Sequence, residues 1–551
     1  MIQPQWRLLR DCRPTSVQEV MDILLSNRGV TPTFLNGSLK DLEPHLGIQG
    51  MAEGAELMAW HLQKGHKLLL VGDYDCDGVT SAALLAIFLR DIGYADFKVV
   101  IPHRSEGYGI PKRAIFQHAD ARLLVAVDCG TQDRDAIALC QSLGIDSLVI
   151  DHHEVNAENL APVKVLINPK QPSCASSFKE FASAGLTLLF LAGLRRALRG
   201  SFRSPTLGAK YLALAAIGTI ADIVPLIDGN RILAKAGIRH LSSCEFLPLQ
   251  QIIQAAGLAN KTITAGHVGY QLAPRLNVAG RMATAQLALD LLTGDDPQDL
   301  QKLAQELNRL NAKRQYLEKL VMEEVKGRYT VDCGARRTLV MGDSGWHPGI
   351  IGIVAAKIQQ ELHFGPTIIF AIDAEAQIAR GSARSVAGFD IHAALKRCDS
   401  LLLKWGGHKM AAGLSISPAD LDAFSLLFEE VARDYPAQIF VPERKVDLEL
   451  DLDLVSDRLI EALATLEPHG AGNPRPTFAA KRARVRVRKV FGKDQSHLRM
   501  MLQDKVDGVF WNGRDHLAPD LDGDADVIFQ LEKDAFMHRP VLNIRDVGRF
   551  F

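Results

Sequence analysis

The chain has 551 residues, of which 47% are hydrophobic and 23% charged, the composition of a globular protein with several domains. Its formal net charge of -1 excludes a general attraction to polyanions, so any surface for nucleic acid must be local. Residues 1–7 lack the apolar core of a signal peptide, and no uncharged apolar run reaches about 18 residues. The eight cysteines contain no Cys-x-x-Cys pair. These features predict a cytoplasmic protein without a membrane segment.

Residues 1–50 have a mixed pattern and are expected to form a lead-in. From residue 51 to about 230, apolar strands alternate with helices. Helices are predicted at 51–64 and 80–92, and strands at 67–71, 98–101, 123–127, 147–150 and 165–167. This alternation predicts a parallel sheet with helices on both faces.

Acidic clusters follow three of these strands at the same relative position. The clusters contain Asp73, Asp75 and Asp77, then Asp128, then Asp151, His152 and His153. The carboxyl ends of parallel strands meet at one edge of a sheet, so these side chains should converge. Oxygen and imidazole donors suit Mg²⁺ or Mn²⁺, and the surplus of carboxylates suggests two ions. The alternative for any single Asp is a turn former or a helix N-cap.

A second apolar helical stretch, 211–220, leads to Asp222, which is either a helix-terminal acid or a further metal ligand. Residues 231–296 are predicted to be a helical extension of the core. Between 297 and 327, leucines recur at three- and four-residue steps, which predicts a helix about 45 Å long. Such a helix can connect two domains, although a coiled coil or a core helix is the alternative.

A second α/β unit is predicted at 335–435, with strands at 338–341 and 367–371 and a helix at 349–360. Three pieces rich in glycine or basic residues lie here, at 342–349, 381–385 and 406–413. Small residues let backbone N–H groups approach an anion, and Ser, Arg and His supply further donors. We therefore expect phosphate binding, with simple glycine turns as the alternative.

Residues 445–551 read mainly as strands. Within 481–490, Arg482, Arg484, Arg486 and Arg488 alternate with apolar residues and should share one face of a half-buried strand. The density of strands predicts a small barrel of the oligonucleotide-binding (OB) type, and the arginines suggest a nucleic-acid track. A solvated sheet edge is the alternative for the arginine row.

Seven separated motifs give the chain a family resemblance. They occupy residues 72–78, 128–130, 151–153, 218–222, 273–281, 381–385 and 406–413. The chain resembles the DHH phosphoesterase superfamily and, within it, the exonucleases specific for single-stranded DNA. The resemblance implies an α/β fold, in which a parallel-sheet DHH domain (51–230) is joined by the long helix to a smaller α/β DHH-associated (DHHA1) domain across a cleft. An OB-like β-barrel follows.

The resemblance also implies roles for individual residues. Metal ligands map onto Asp75, Asp77, Asp128, His152, His153 and Asp222, with Asp73 as a further ligand or a nearby acid, holding two Mn²⁺ or Mg²⁺ ions. Phosphate-binding roles map onto Arg275, Asn277, Arg281, Ser382, Arg384 and His408, and Arg281 would also stabilise charge during catalysis. On the residues' own chemistry, Tyr108 is a candidate for stacking on a base, with a packing aromatic as the alternative, and Arg484, Arg486 and Arg488 are candidates for the barrel track.

By the same resemblance, we expect a cytoplasmic monomer that hydrolyses single-stranded DNA from 5′ to 3′, releasing 5′-mononucleotides in DNA repair and recombination. A single-strand-binding protein and a RecQ-type helicase are the partners it implies. One alternative is a DHH phosphodiesterase for short oligonucleotides or cyclic dinucleotides, although the basic barrel favours a polymer. Another is a non-catalytic single-strand-binding scaffold, which the full set of ligands disfavours.

Overall fold

The computed structural model of the chain describes residues 4–31, 33–243, 245–516, 523–534 and 538–550. The α-helices are α1 Val17–Asn27, α2 Thr33–Asn36, α3 Met51–Gln63, α4 Cys76–Asp91, α5 Lys112–Gln117, α6 Arg134–Ser142, α7 Ser183–Ala197, α8 Ala209–Ala221, α9 Asp228–Leu241, α10 Leu247–Ala255, α11 Ala265–His267, α12 Ala273–Met282, α13 Gln286–Thr293, α14 Pro297–Arg328, α15 Val331–Ala335, α16 Ile351–Glu361, α17 Ile391–Arg397, α18 Leu421–Arg433 and α19 Asp457–Ala464. In the described ranges, no helix has the length and apolar character needed to cross a membrane.

The strands are β1 Gln5–Leu8, β2 Leu68–Gly72, β3 Phe97–Val100, β4 Leu123–Val127, β5 Asp146–Ile150, β6 Val165–Ile167, β7 Leu339–Asp343, β8 Thr367–Asp373, β9 Ile378–Arg384, β10 Leu402–His408, β11 Ala411–Ile416, β12 Glu443–Val446, β13 Leu448–Glu449, β14 Phe478–Phe491, β15 His497–Leu502, β16 Val506–Phe510, β17 Gly523–Lys533 and β18 Pro540–Gly548. The chain divides into two compact units. The N-terminal unit contains Ser16–Asn311 and Ser456–Pro476, and the C-terminal unit contains Met1–Thr15, Ala312–Val455 and Thr477–Phe551.

The N-terminal unit is built on a five-stranded parallel sheet with the order β3-β2-β4-β5-β6. Alternate residues of the buried strand β2 enter two different cores. Leu68 and Leu70 pack in one core with α4, α7 and α8, whereas Leu69 and Val71 pack in the other with α5 and α6. The predicted parallel sheet with helices on both faces is therefore confirmed.

Helix α4 begins at Cys76, four residues before the predicted start at residue 80. The carboxylate of Asp75 caps it by accepting hydrogen bonds from the backbone N–H groups of Asp77 (2.9 Å) and Gly78 (3.0 Å). A Cβ at Gly78 would lie 2.5 Å from the carbonyl oxygen of Asp73, so the turn requires a glycine. The acidic motif is therefore both a helix cap and part of a cluster of acids.

The C-terminal unit contains a mixed sheet with the order β10-β11-β9-β8-β7, in which only the β7–β8 pair is parallel among the described strands. A second sheet, β13-β14-β15-β16-β18-β17, closes on itself through an additional β14–β17 pairing, which confirms the predicted barrel. Strand β1 pairs in parallel with β12, so part of the predicted lead-in belongs to this unit. Helix α14 has 32 residues and runs from the first unit into the second, as the leucine spacing predicted.

Seven cysteines are free thiols, namely Cys12, Cys76, Cys129, Cys140, Cys174, Cys333 and Cys398. Cys244 lies outside the described residues.

Candidate metal centre

The acidic clusters converge at the carboxyl ends of β2, β4 and β5 and at the C-terminal end of α8. Three overlapping groups of side chains each place their ligand atoms within 4.8 Å of one another. They are Asp73, Asp75 and Asp128; Asp128, His152 and His153; and Asp77, His152 and Asp222. Because Asp128 and His152 each belong to two groups, the seven residues form one continuous centre.

The amino end of α7 holds two of these carboxylates in place. Asp77 accepts hydrogen bonds from the backbone N–H groups of Ser183 (2.7 Å) and Ala184 (2.9 Å). The hydroxyl of Ser183 donates to Oδ1 of Asp128 at 2.9 Å. A helix N-terminus stabilises anions, so α7 fixes acids that would otherwise repel one another. Asp128 also has a left-handed backbone (φ +63°), a strained conformation of the kind that collects at functional sites.

Asp151, the first residue of the Asp-His-His motif, orients the histidines. Its Oδ1 accepts hydrogen bonds from the backbone N–H groups of His152 (2.8 Å) and His153 (3.2 Å) and lies 2.8 Å from Nδ1 of His153. Its other oxygen accepts from the N–H of Thr131 at 3.2 Å. Although burial lowers the pKa of His153, the hydrogen bond and the charge of Asp151 raise it to about 9. Asp151 therefore affects the centre indirectly, by orienting His153 and raising its pKa.

The residues fit a divalent cation. Two buried atoms, Oδ1 of Asp73 and Nε2 of His152, have no hydrogen-bond partner among the described residues. The pKa values of four acids are raised, mainly by burial and next by repulsion between neighbouring carboxylates. These acids are Asp73, Asp77, Asp128 and Asp222. Burial also lowers the pKa of His152 to about 4, which leaves a neutral imidazole able to donate its lone pair. A bound cation would stabilise the ionised acids and give both buried atoms a partner.

Helix α12 supports the turn that carries the first acids. Oδ1 of Asn277 accepts a hydrogen bond from the N–H of Cys76 at 2.8 Å. A Cβ at Gly280 would lie 2.5 Å from the carbonyl oxygen of Tyr74, so the helix packs closely on this turn. Arg281, in the last turn of α12, is partly exposed. The guanidinium of Arg275 donates to Oδ1 of Asn308 (3.0 Å) and to the carbonyl oxygen of Gln271 (2.6 Å). The phosphate-binding roles of these residues stay predictions.

Tyr108 contacts the centre in a way that the sequence did not indicate. Its hydroxyl donates to the carbonyl oxygen of Asp128 at 3.0 Å and lies 3.0 Å from Nδ1 of His153, while 52% of the residue is exposed. Stacking of a base on this ring stays a prediction. The supporting role of Ser183 was also not predicted. Its only local signal was the run of small residues 183–185 at the start of an apolar helix.

In the C-terminal unit, Ser382, Arg384 and His408 lie on one face of the mixed sheet. Ser382 on β9 pairs with Gly413 on β11, which in turn pairs with Gly406 on β10, and Arg384 is aligned in the same way with Ala411 and then His408. Nη1 of Arg384 donates to the hydroxyl of Ser382 at 3.2 Å. Residues directly opposite each other share a face, so the three predicted phosphate-binding side chains are brought together.

The glycines of this face form strands rather than turns. A Cβ at Gly406 or Gly413 would meet no described atom within 4 Å, so the backbone there is open to an approaching ligand. At Gly352 in α16, a Cβ would lie 2.9 Å from the hydroxyl oxygen of Ser382, so this helix approaches the same face.

The predicted arginine row lies on β14. Arg482, Arg484, Arg486 and Arg488 are all exposed and alternate with buried or half-buried residues. Nη1 of Arg486 lies 3.3 Å from a carboxylate oxygen of Asp504, and Nη1 of Arg488 lies 3.8 Å from one of Asp507. These acids compensate part of the row, so charge repulsion alone does not require a polyanion. The nucleic-acid track stays a prediction.

Taken together, a parallel sheet with acids and histidines at its strand ends, a small mixed-sheet unit and a closed barrel define a phosphoesterase of the DHH class. Three family models match the chain: the DHH family N-terminal domain at residues 67–219, the DHHA1 domain at 335–434 and the RecJ OB domain at 446–546. The chain belongs to the RecJ family.

Curated relatives named single-stranded-DNA-specific exonuclease RecJ support this assignment. The Haemophilus influenzae protein is 31% identical, over 88% of this chain and 88% of its own length. The Escherichia coli protein is 30% identical, over 92% of this chain and 91% of its own length. The Bacillus subtilis protein is 34% identical over 86% of this chain, which spans only 59% of that longer relative.

Two crystal structures of RecJ from Thermus thermophilus are similar to this fold. The complex with Mn²⁺ has a TM-score of 0.82 at 29% identity, covering 99% of this chain and 79% of the other. The complex with Mg²⁺ has a TM-score of 0.76 at 28% identity, covering 99% and 78%. These are the two ions that the ligand set of this chain predicts.

Proposed function

We propose that this protein is a metal-dependent exonuclease that hydrolyses single-stranded DNA from 5′ to 3′ and releases 5′-mononucleotides. The observation that carries the proposal is the centre of seven candidate ligand side chains, all buried or partly buried, in a member of the RecJ family. Within it, the unpartnered Nε2 of His152 and Oδ1 of Asp73 among the described atoms indicate places for a cation.

Divalent ions bound at this centre would stabilise charge on the phosphoryl oxygens and activate water for attack on phosphorus. The chain's own residues prepare that chemistry. Ser183 and the amide of Ala184 hold Asp77 and Asp128 in position, and Asp151 holds His153. Because these contacts exist before substrate arrives, little reorganisation is needed during the reaction.

Binding and register of the strand are assigned to other side chains. Arg281 would stabilise negative charge on the scissile phosphate, and Arg275 and Asn277 would assist in positioning it. In the C-terminal unit, Ser382, Arg384 and His408 would hold a phosphate of the strand on their common sheet face. Arg484, Arg486 and Arg488 would follow the backbone along the barrel.

The cellular setting is part of the proposal. We place the protein in the cytoplasm, in DNA repair and recombination, as a monomer. A single-strand-binding protein and a RecQ-type helicase would be its partners, because a single-strand-specific enzyme needs an opened duplex. Copurification of either partner with the tagged protein would test this assignment.

Digestion of end-labelled single strands tests the reaction. With Mn²⁺, a 5′ label should appear at once as a mononucleotide, whereas a 3′-labelled strand should shorten progressively. EDTA should stop both reactions, and readdition of Mn²⁺ should restore them. Early release of the 3′ label, or equal cleavage of a blunt duplex, would contradict the proposal. Faster turnover of a dinucleotide than of a long strand would instead indicate a phosphodiesterase for short substrates.

A further inference from the structure

The chain returns to the N-terminal unit between two strands of the barrel. Residues Ser456–Pro476, between β13 and β14, belong to the same compact unit as the metal centre. Helix α19 opens this excursion, and residues 465–476, here called the return loop, complete it before β14 begins at Phe478. An insertion of this length, packed in a different unit from the strands on either side of it, is expected to have a structural role there.

The return loop lies directly on the segment that follows Asp222. The N–H of Leu226 donates to the carbonyl oxygen of Ala471 at 2.7 Å. A Cβ at Gly470 would lie 2.7 Å from Cδ1 of Leu226. Gly472 has a left-handed backbone (φ +70°), and a Cβ there would lie 2.9 Å from Cβ of Pro225. The loop and the segment 225–226 are therefore packed too closely to accept larger residues.

The segment between Asp222 and Leu226 contains local backbone strain. Ile223 has a left-handed backbone (φ +60°), which is a genuine outlier for a β-branched residue, and it is 75% exposed. Such a conformation persists only when the surrounding structure holds it. Helix α8 holds one side, because the N–H of Asp222 donates to the carbonyl oxygen of Gly218 at 3.0 Å. The return loop holds the other side through Leu226.

The return loop is itself fixed to the N-terminal unit. Asn473 is fully buried and donates to the carbonyl oxygens of Leu466 (2.7 Å) and Pro468 (2.9 Å). The guanidinium of Arg28 donates to Oδ1 of Asn473 (3.0 Å) and to the carbonyl oxygen of Pro474 (2.7 Å). The loop can therefore act as a rigid support.

Helix α9 connects the loop to the rest of the centre. Arg231, which is 2% exposed, donates to the carbonyl oxygens of Leu466 (2.7 Å) and Thr465 (2.9 Å). The neighbouring Asn230 donates to the carbonyl oxygens of Pro225 (3.1 Å) and Glu180 (2.5 Å). Glu180 lies three residues before Ser183, whose N–H and hydroxyl hold Asp77 and Asp128.

We propose that the return loop is a positioning element of the metal centre, which sets the place of Asp222 by holding Pro225 and Leu226. The proposal rests on the proposed function in that the centre binds divalent ions. The proposal also explains why the chain leaves the barrel between β13 and β14. The return loop leads into the arginine-bearing strand β14 and would also support a metal ligand.

The test compares two glycine substitutions. Gly472→Ala places a Cβ against Pro225, whereas Gly257→Ala introduces alanine at the same φ (+70°) in the same unit, where no described atom lies within 4 Å of the new Cβ. Mn²⁺ binding is measured by calorimetry, and steady-state kinetics are measured on single-stranded DNA. We expect Gly472→Ala to weaken Mn²⁺ binding about tenfold or more and to lower kcat with little change in KM. Gly257→Ala should change neither.

A milder variant covers the case in which Gly472→Ala does not fold. Arg28→Ala removes two hydrogen bonds to the loop and should weaken Mn²⁺ binding in the same direction by a smaller factor. The proposal is overturned if the folded variants of the loop bind Mn²⁺ as tightly as Gly257→Ala does. Calorimetry requires no substrate, so wild-type protein that binds Mn²⁺ but leaves DNA intact would refute the proposed function and still decide this question.

Discussion

The metal centre and the arginine row of β14 differ in how completely the protein itself fixes their charged side chains. In the centre, carboxylates are buried and held by backbone N–H groups and the hydroxyl of Ser183, with raised pKa values that a cation would lower. On β14, the guanidinium groups are exposed, and two of them face the acids Asp504 and Asp507. The buried acids of the centre therefore need a cation, whereas the exposed arginines of β14 can bind an anion but do not need one. Chemistry should therefore be lost abruptly by single changes in the centre, whereas strand binding should decline gradually.

The largest effect is expected from Asp128→Asn. Asn can keep both the left-handed backbone and the hydrogen bond from Ser183, so the fold should survive while the shared ligand loses its charge. We expect nuclease activity to fall below detection. Saturating Mn²⁺, at about 100 times Kd, should stabilise the wild type by about 2.7 kcal/mol in thermal unfolding, and the variant much less.

Asp504→Asn is the matched control, because Asp504 also has a left-handed backbone (φ +54°) but faces Arg486. It should retain full turnover and the full stabilisation by Mn²⁺. Activity in Asp128→Asn equal to that of this control would remove Asp128 from the centre.

A smaller loss of activity and Mn²⁺ affinity is expected from Asp151→Asn. This substitution tests the acid that orients His153 and leaves His153 itself unchanged. The substitution removes the charge that raises the pKa of His153 and places an amide donor against the N–H of Thr131. We expect activity and Mn²⁺ affinity to fall about 10- to 100-fold, the usual cost of losing a partner of a metal ligand. Calorimetry with Mn²⁺ measures the affinity, and unchanged binding would show that His153 is held without this acid.

The parts of the centre that the sequence predicted are those with a local signal. Acids directly after apolar strands identified Asp73 and Asp128, because parallel strands bring their carboxyl ends together whatever the rest of the chain does. Asp222 was identified as the acid at the end of an apolar helix. For Ser183 the only local signal was the run of small residues 183–185, and the role proposed for the return loop had no local signal. The hydrogen bond between Leu226 and Ala471 joins residues far apart in the chain, and no periodicity records a contact of that kind.

Parts of the predicted fold were wrong for the same physical reason. The start of α4 was predicted four residues late because the helix N-cap, the stated alternative for any single Asp, was not assigned to Asp75, whose carboxylate caps the helix. The pairing of β1 with β12 was missed because β1 is a four-residue strand, and its partner Glu443–Val446 is far away in the sequence. Simple turns were the alternative for the glycines of 406–413, whereas Gly406, Gly407 and Gly413 lie in the paired strands β10 and β11, whose open face only the register reveals.

On the barrel, the joint substitution of Arg484, Arg486 and Arg488 by Gln should weaken binding of long single strands and leave kcat nearly unchanged. Each phosphate contact on a single strand contributes about 0.7 to the slope of log affinity against log salt, so the slope should flatten by up to about 2. Fluorescence titrations at several salt concentrations measure it. Asp504→Asn should tighten binding, since it frees Arg486 from its acidic neighbour. An unchanged slope in the triple variant would place the strand elsewhere on the protein.

The smallest effect concerns the strain next to Asp222. Ile223 is mostly exposed, so its side chain contributes little packing, while its left-handed backbone costs on the order of 1 kcal/mol. Ile223→Asn should therefore raise the free energy of unfolding in urea by about 1 kcal/mol, because Asn tolerates this conformation. Ile223→Val keeps the β-branch and should give no gain. If both variants are equally stable, the strain is absent and the return loop has nothing to hold at this position. If only Ile223→Asn raises the free energy of unfolding, the metal centre is built at a cost in stability. The arginine row, with its exposed and compensated charges, has no such cost.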